Sequence, residues 1–237
     1  MSDSQTVKAA IFDVDGTMVD SMYVWEKVDC DFLTQRGIPV TSEYSETMRG
    51  MFFEQAAQYT IDHYGLNESV EQIVSIWLDM ARHEYENNVK AKPQLREYLD
   101  ELKSKGIRLG IATSSDPYLL EPVLSSNHLN SYFDKICYTS QVGRGKSFPD
   151  IYLYTARQLG VHPQNCVVFE DIPEGISGAN KAGMKTVAVY DKASQQHEQT
   201  LKQQAHKYIF GFSEVLGEDL WKETDLPIFS SASSSQP

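Results

Sequence analysis

Ala9 to Ser21, AAIFDVDGTMVDS, is the stretch on which the reading of the whole chain turns. An apolar run ends there in two carboxylates one residue apart, Asp13 and Asp15, followed at once by Gly16 and a hydroxyl residue. Successive strand residues face opposite ways, so positions 13 and 15 point in the same direction. Gly16 lets the backbone turn sharply and expose peptide N–H groups. One carboxylate can then touch a metal and a substrate while the other reaches a leaving oxygen.

Working outward, similar apolar runs recur at residues 107–113, 135–139, 166–171 and 185–191. All are strand-length, rich in β-branched or aromatic residues and poor in alternation, as expected of parallel strands covered on both faces. Between them lie helical patterns with recognisable ends: Pro93 to Gly106, a start at Asp116-Pro117, Pro149-Asp150 to Gly160, and a start at Pro173-Glu174. Strand and helix alternate, which predicts an α/β fold, a Rossmann-like doubly wound parallel sheet. Residues 20–92 show no strand-like run, and three segments space their apolar residues at helical intervals. They read as an inserted α-helical cap domain. The expected organisation is a catalytic core at 1–19 and 93–225, a cap at 20–92, and a Ser-rich, disordered tail at 226–237.

Ligands of an open parallel sheet bind beyond the carboxyl ends of its strands. Four predicted strand ends carry, in order, Asp13 and Asp15; Thr113 and Ser114; the loop GRGKSFPD with Lys146; and Glu170 with Asp171. Acids crowded at one rim repel one another, so they call for a hard divalent cation, and oxygen donors suit Mg²⁺. The six histidines are scattered and form no zinc-like pair. A formal net charge of -12 over 237 residues disfavours nucleic acid and anionic membrane surfaces. No uninterrupted run of about 18 apolar residues exists to span a bilayer. Cys30, Cys137 and Cys166 are few and widely spaced, which reads as buried reduced thiols in a cytoplasmic protein.

With these residues in view, the sequence resembles the haloacid dehalogenase superfamily of phosphohydrolases, in the branch with a helical cap that includes β-phosphoglucomutase and sugar-phosphate phosphatases. The resemblance runs from about Lys8 to Tyr190 and is carried by DVDGT, ATSS, the loop lysine with its following PD, and EDIPEGISGANKAGM. It implies a small phosphorylated metabolite as partner and Asp13 as a nucleophile that forms an aspartyl-phosphate. It makes Asp15 the acid and base, and implies Mg²⁺ on the Asp13 side chain, the Asp15 carbonyl and Asp171, with Glu170 beside it. Thr113 and Ser114 would meet the phosphoryl group, Lys146 would offset its charge, and Arg49 in the cap turn MRGM would reach a substrate hydroxyl or phosphate. A monomer or weak homo-oligomer is expected.

Three positions depart from the mutase pattern. Trp25 stands where the mutase has a cap histidine, Phe53 where it has a phosphate-holding arginine, and Ile172 where EDS is common. A phosphatase is therefore expected rather than a phosphosugar mutase. Two rivals differ in class: a P-loop nucleotide-binding protein, from the near match SQVGRGKS at Ser140 to Ser147, and a binding module that keeps the fold without turnover. The first lacks the leading glycine of the motif and leaves DVDGT without a role.

Overall fold

The structure is a computed structural model that describes residues 6–48, 51 and 53–218. Its sheet has six parallel strands, β1 Ala9–Phe12, β2 Arg108–Thr113, β3 Lys135–Tyr138, β4 Cys166–Glu170, β5 Lys185–Val189 and β6 Lys207–Ile209, in the order β3-β2-β1-β4-β5-β6. The sequence expectation of a doubly wound parallel sheet thus holds, with β6 added at one edge. That strand is three residues long and too short to stand out as an apolar run.

The described helices are α1 Val24–Thr34, α2 Ser42–Met48, α3 Phe53–Tyr64, α4 Val70–Asn87, α5 Leu95–Ser104, α6 Pro117–Ser126, α7 Asp150–Leu159, α8 Pro173–Lys181 and α9 Glu198–Gln204. The chain divides into two compact units. One runs to Met18, takes in Lys92–Ser114 and resumes at Tyr132; the other comprises Val19–Ala91 and Ser115–Ser131. The second unit thus includes α6 as well as the inserted segment. Inside that unit the Arg82 guanidinium donates to the Tyr118 carbonyl at 2.7 Å, and Asn127 Oδ1 accepts from the Ala91 N–H at 2.7 Å. These bonds tie α6 and its C-terminal residue to the inserted segment. The tail at 226–237 lies outside the described residues.

Parity along the strands sets the α/β core. Ala9 and Ile11 of β1, Ala112 of β2, and Cys166 and Val168 of β4 share one cluster with Ile151, Tyr152, Ala156 and Leu159 of α7 and with Ala179 of α8. Gly110 belongs to this face, since a Cβ there would crowd Thr155 and Leu159. The intervening residues supply an aromatic layer in which Phe12 stacks on Phe169 at 4.5 Å and Tyr98 meets Phe169 edge-on at 5.6 Å. Strands buried on both faces are what near-continuous apolar runs encode.

Helix ends follow the punctuation in the sequence. Asp116 caps α6 by accepting from the Tyr118 N–H at 2.7 Å, and Pro117 opens the helix. Gly160 closes α7 in the left-handed region at φ 66°. In the helical unit, Ser69 and Gln72 form a reciprocal capping box at the start of α4. Cys137 and Cys166 are buried, whereas Cys30 is half-buried, so the expectation of three buried thiols holds for two.

Candidate active site

Register brings the carboxylates together. Phe12 pairs with Ile111 and with Phe169, so Asp13, one residue further on, stands level with Ala112 and Glu170. The Asp13 N–H donates to the Phe169 carbonyl at 3.0 Å, which extends the ladder by one rung. By parity, residues 9, 11 and 13 face α7, as do 166, 168 and 170. Asp13 and Glu170 therefore leave the sheet on the same side. Gly16 follows at φ 78°, the positive backbone angle that only glycine adopts readily, and turns the chain away from the strand end.

Lys146 comes from the loop between β3 and α7 and is buried among these acids. Its Nζ forms an ion pair with Asp13 Oδ1 and a second, at 2.7 Å, with Glu170 Oε1. Thr17 Oγ1 donates to Asp171 Oδ1 at 3.1 Å and lies 3.4 Å from Asp13 Oδ2. The Tyr152 hydroxyl donates to Glu170 Oε1 at 2.9 Å. Asp15 is half-buried and adds its charge to the field at Asp13.

The other expected residues are placed as follows. Thr113 is the buried last residue of β2, and Ser114, the next residue, is exposed. Glu170 does not cap α8; Ile172 occupies that cap position and offers no side-chain bond. Arg49 lies outside the described residues. Trp25 and Phe53 meet edge-on at 4.9 Å within the helical unit. The segment SQVGRGKS does not build a phosphate-cradling loop: α7 begins only at Asp150, and its lysine is engaged by two carboxylates.

Four contributors to the site carry no role in the sequence reading. Thr17 was visible as the hydroxyl of DVDGT, but its partner Asp171 is 154 residues away. Tyr152 reads as one more apolar residue of α7. Gly175 and Gly178 lie one turn apart on α8 and admit the site: a Cβ at 175 would overlap the Glu170 carboxyl, and one at 178 would overlap the Lys146 carbonyl. Helical spacing of three puts both on one face.

Burial dominates the electrostatics. It pushes the Asp13 carboxyl up against the opposing pull of Lys146, and drives Asp171 well above the ordinary aspartate range with help from Asp13 and Glu170. Glu170 is pushed up to about 7 by burial and then by Asp13, with Lys146 resisting. For Lys146 burial works against the charge, but Asp13 and Glu170 outweigh it and hold the ammonium protonated. Like charges this close cannot all ionise without a counter-charge.

A divalent cation fits this donor set. Asp13, Glu170 and Asp171 each offer a carboxylate oxygen, all within 4.8 Å of one another. Among the described residues, Glu170 Oε2 and Asp171 Oδ2 are buried with no hydrogen-bond partner, an arrangement that costs free energy unless something else engages them. Three carboxylates against one ammonium leave two negative charges uncompensated, the charge that a hard, oxygen-seeking divalent ion carries.

Comparison with known proteins places the chain in a family. Residues 10–189 match the family model described as haloacid dehalogenase-like hydrolase, and the chain belongs to that family of hydrolases. Hexitol phosphatase B of Escherichia coli is 28% identical over 196 residues, covering 80% of this chain and 86% of its own. A Drosophila melanogaster protein named "Probable pseudouridine-5'-phosphatase" is 32% identical over 197 residues, covering 78% and 82%. The crystal structure of CbbY from Rhodobacter sphaeroides in complex with phosphate superposes with a TM-score of 0.71 over 89% of this chain and 96% of its own; at 22% identity it bears on the fold alone.

Proposed function

We propose that this chain is a Mg²⁺-dependent phosphatase that hydrolyses a small phosphorylated metabolite, a sugar or polyol phosphate, through an aspartyl-phosphate on Asp13. The observation that carries the reading is the convergence of Asp13, Lys146, Glu170 and Asp171 at the carboxyl edge of β1 and β4, with two buried carboxylate oxygens that have no hydrogen-bond partner among the described residues. The name of the Escherichia coli relative supports a polyol phosphate, and that of the Drosophila relative makes a nucleoside phosphate the alternative to test.

In this reading Asp13 Oδ attacks phosphorus and the ester oxygen departs. Asp15, the next acid on the same side of the chain, donates a proton to that oxygen and then takes one from the water that cleaves the acyl phosphate. Lys146 balances charge on the phosphoryl oxygens from its place between two carboxylates. Thr17 holds the Asp171 carboxylate by its Oγ1, and Thr113 at the end of β2 offers a hydroxyl to the transferred group. Asp13, Asp171 and the Asp15 carbonyl would hold Mg²⁺, with Glu170 beside it, and the ion when bound supplies charge neutralisation for the incoming phosphate.

The test is hydrolysis of p-nitrophenyl phosphate with Mg²⁺, with EDTA, and after Mg²⁺ is restored, followed by a panel of hexitol, sugar and nucleoside monophosphates ranked by kcat/KM. Activity that needs Mg²⁺ and a hexitol or sugar phosphate at the head of the ranking support the proposal. Activity indifferent to EDTA, or a nucleoside phosphate at the head, overturns the corresponding part.

A further inference from the structure

Tyr152 has no place in the chemistry above, yet its hydroxyl is among the groups nearest to it. The side chain is fully buried on the sheet-facing side of α7, where a phenylalanine would fill the same apolar space. Its hydroxyl instead donates to Glu170 Oε1 at 2.9 Å, the oxygen that also takes the Lys146 ammonium at 2.7 Å. Two donors from different elements, one on α7 and one on the preceding loop, thus fix a single oxygen. Gly175 backs closely onto the same group, since any Cβ there would overlap the Glu170 carboxyl. The carboxylate has little freedom to rotate, and the ammonium bound to it has correspondingly little freedom to leave Asp13.

We propose that Tyr152 is a positioning residue that acts through Glu170 on Lys146, holding the ammonium where it meets the phosphoryl group carried by Asp13. The proposal rests on the phosphatase reading of the same site. Removing the hydroxyl leaves Glu170 Oε1 with one donor in place of two and lets the Glu170–Lys146 pair rotate as a unit. Partners that orient a charged group behind the reacting atoms commonly matter by about 10–100-fold. Because the Tyr152 hydroxyl bonds Glu170 and acts through it, its loss acts on the transition state more than on ground-state affinity.

The experiment compares wild type, Tyr152→Phe and a control, Tyr154→Phe, which removes a hydroxyl two residues away on α7. For each, kcat and KM for p-nitrophenyl phosphate are measured with saturating Mg²⁺, and the dissociation constant of beryllium fluoride with Mg²⁺ is measured by calorimetry. Expected for Tyr152→Phe is a fall of about tenfold in both kcat and kcat/KM, KM within about twofold of wild type, and beryllium fluoride binding weakened by about the same tenfold. Tyr154→Phe stays at wild-type values. Wild-type kcat and beryllium fluoride affinity in Tyr152→Phe, with only the melting temperature lowered, would show a packing role and overturn the proposal. A wild-type protein that neither hydrolyses the ester nor binds beryllium fluoride would break the phosphatase reading itself and take this inference with it.

Discussion

The two units treat polar groups in opposite ways. In the α/β unit, Asp13, Lys146, Glu170 and Asp171 are all at least nine-tenths buried and crowd a single place. In the helical unit the ion pairs lie nearer the surface: Lys27 with Asp31 at 2.5 Å, and Arg36 with Glu68 at 2.8 Å. Some of its buried polar atoms are paired, as with Tyr44 and Thr60, whose hydroxyls lie 2.9 Å apart, while Trp77 Nε1 has no hydrogen-bond partner among the described residues. Phe32 meets Trp77 edge-on at 5.6 Å, and the Arg36 guanidinium covers the Phe32 ring at 3.7 Å. The helical unit departs from packing logic at scattered single groups such as Asp29; the α/β unit concentrates its departure where three acids and a lysine are buried together. Such local departures mark the place where a fold gives up stability for chemistry.

The contrast can be broken first at Asp13. Asp13→Asn should lower turnover of p-nitrophenyl phosphate by at least about a thousandfold, because removing a nucleophile leaves only the residual effect of binding. Retained hydrolysis would reject Asp13 as the attacking group. In the helical unit the equivalent loss is one of stability: Phe32→Ala should cost about 3–5 kcal/mol by urea unfolding, as for other fully buried aromatics. A cost below about 1 kcal/mol would mean that this core collapses around the gap.

Two further changes separate function from stability. Asp171→Asn removes a buried carboxylate whose charge is disfavoured by burial and by its acidic neighbours. In EDTA the variant should melt higher than wild type, while its Mg²⁺-dependent activity is lost; a lower melting temperature would mean that Asp171 stabilises the metal-free fold. Asp29 of α1 offers a milder case, pushed up to about 6 by burial and then by Glu26. A raised native value means that the folded chain holds more protons than the unfolded chain between about pH 4 and 6. Stability therefore falls as pH rises through that window, and the penalty persists at pH 7. Asp29→Asn should stabilise by at most about 3 kcal/mol at pH 7 and by nothing at pH 3. Equal effects at the two pH values would assign the gain to packing. Smallest is Ser69→Ala, which removes half of the α4 capping box and should cost about 1 kcal/mol.

What the sequence could reveal followed the range of the interactions involved. Five strands were legible as short apolar runs, although β3 buries only Cys137 fully, and the helix ends because Pro, Asp and Gly act within a few residues. Asp13, Lys146, Glu170 and Asp171 could be named as candidates because a parallel sheet brings strand ends to one rim. Their pairing could not: that Lys146 bridges Asp13 and Glu170 depends on the path of a loop, and that Thr17 serves Asp171 depends on a register set across β1 and β4. Tyr152 was hidden because its ring satisfies the apolar face of α7 and only its hydroxyl does anything else. Strand β6 and helix α2 are too short for periodicity to distinguish them from loop.

The account comes to a single measurement, a crystal structure of the wild-type protein with Mg²⁺ and beryllium fluoride. It predicts beryllium bonded to an Asp13 carboxylate oxygen, Mg²⁺ held by Asp13 and Asp171, and the Lys146 ammonium against a fluoride. Beryllium fluoride bound away from Asp13, or Mg²⁺ held by a different set of residues, would contradict it.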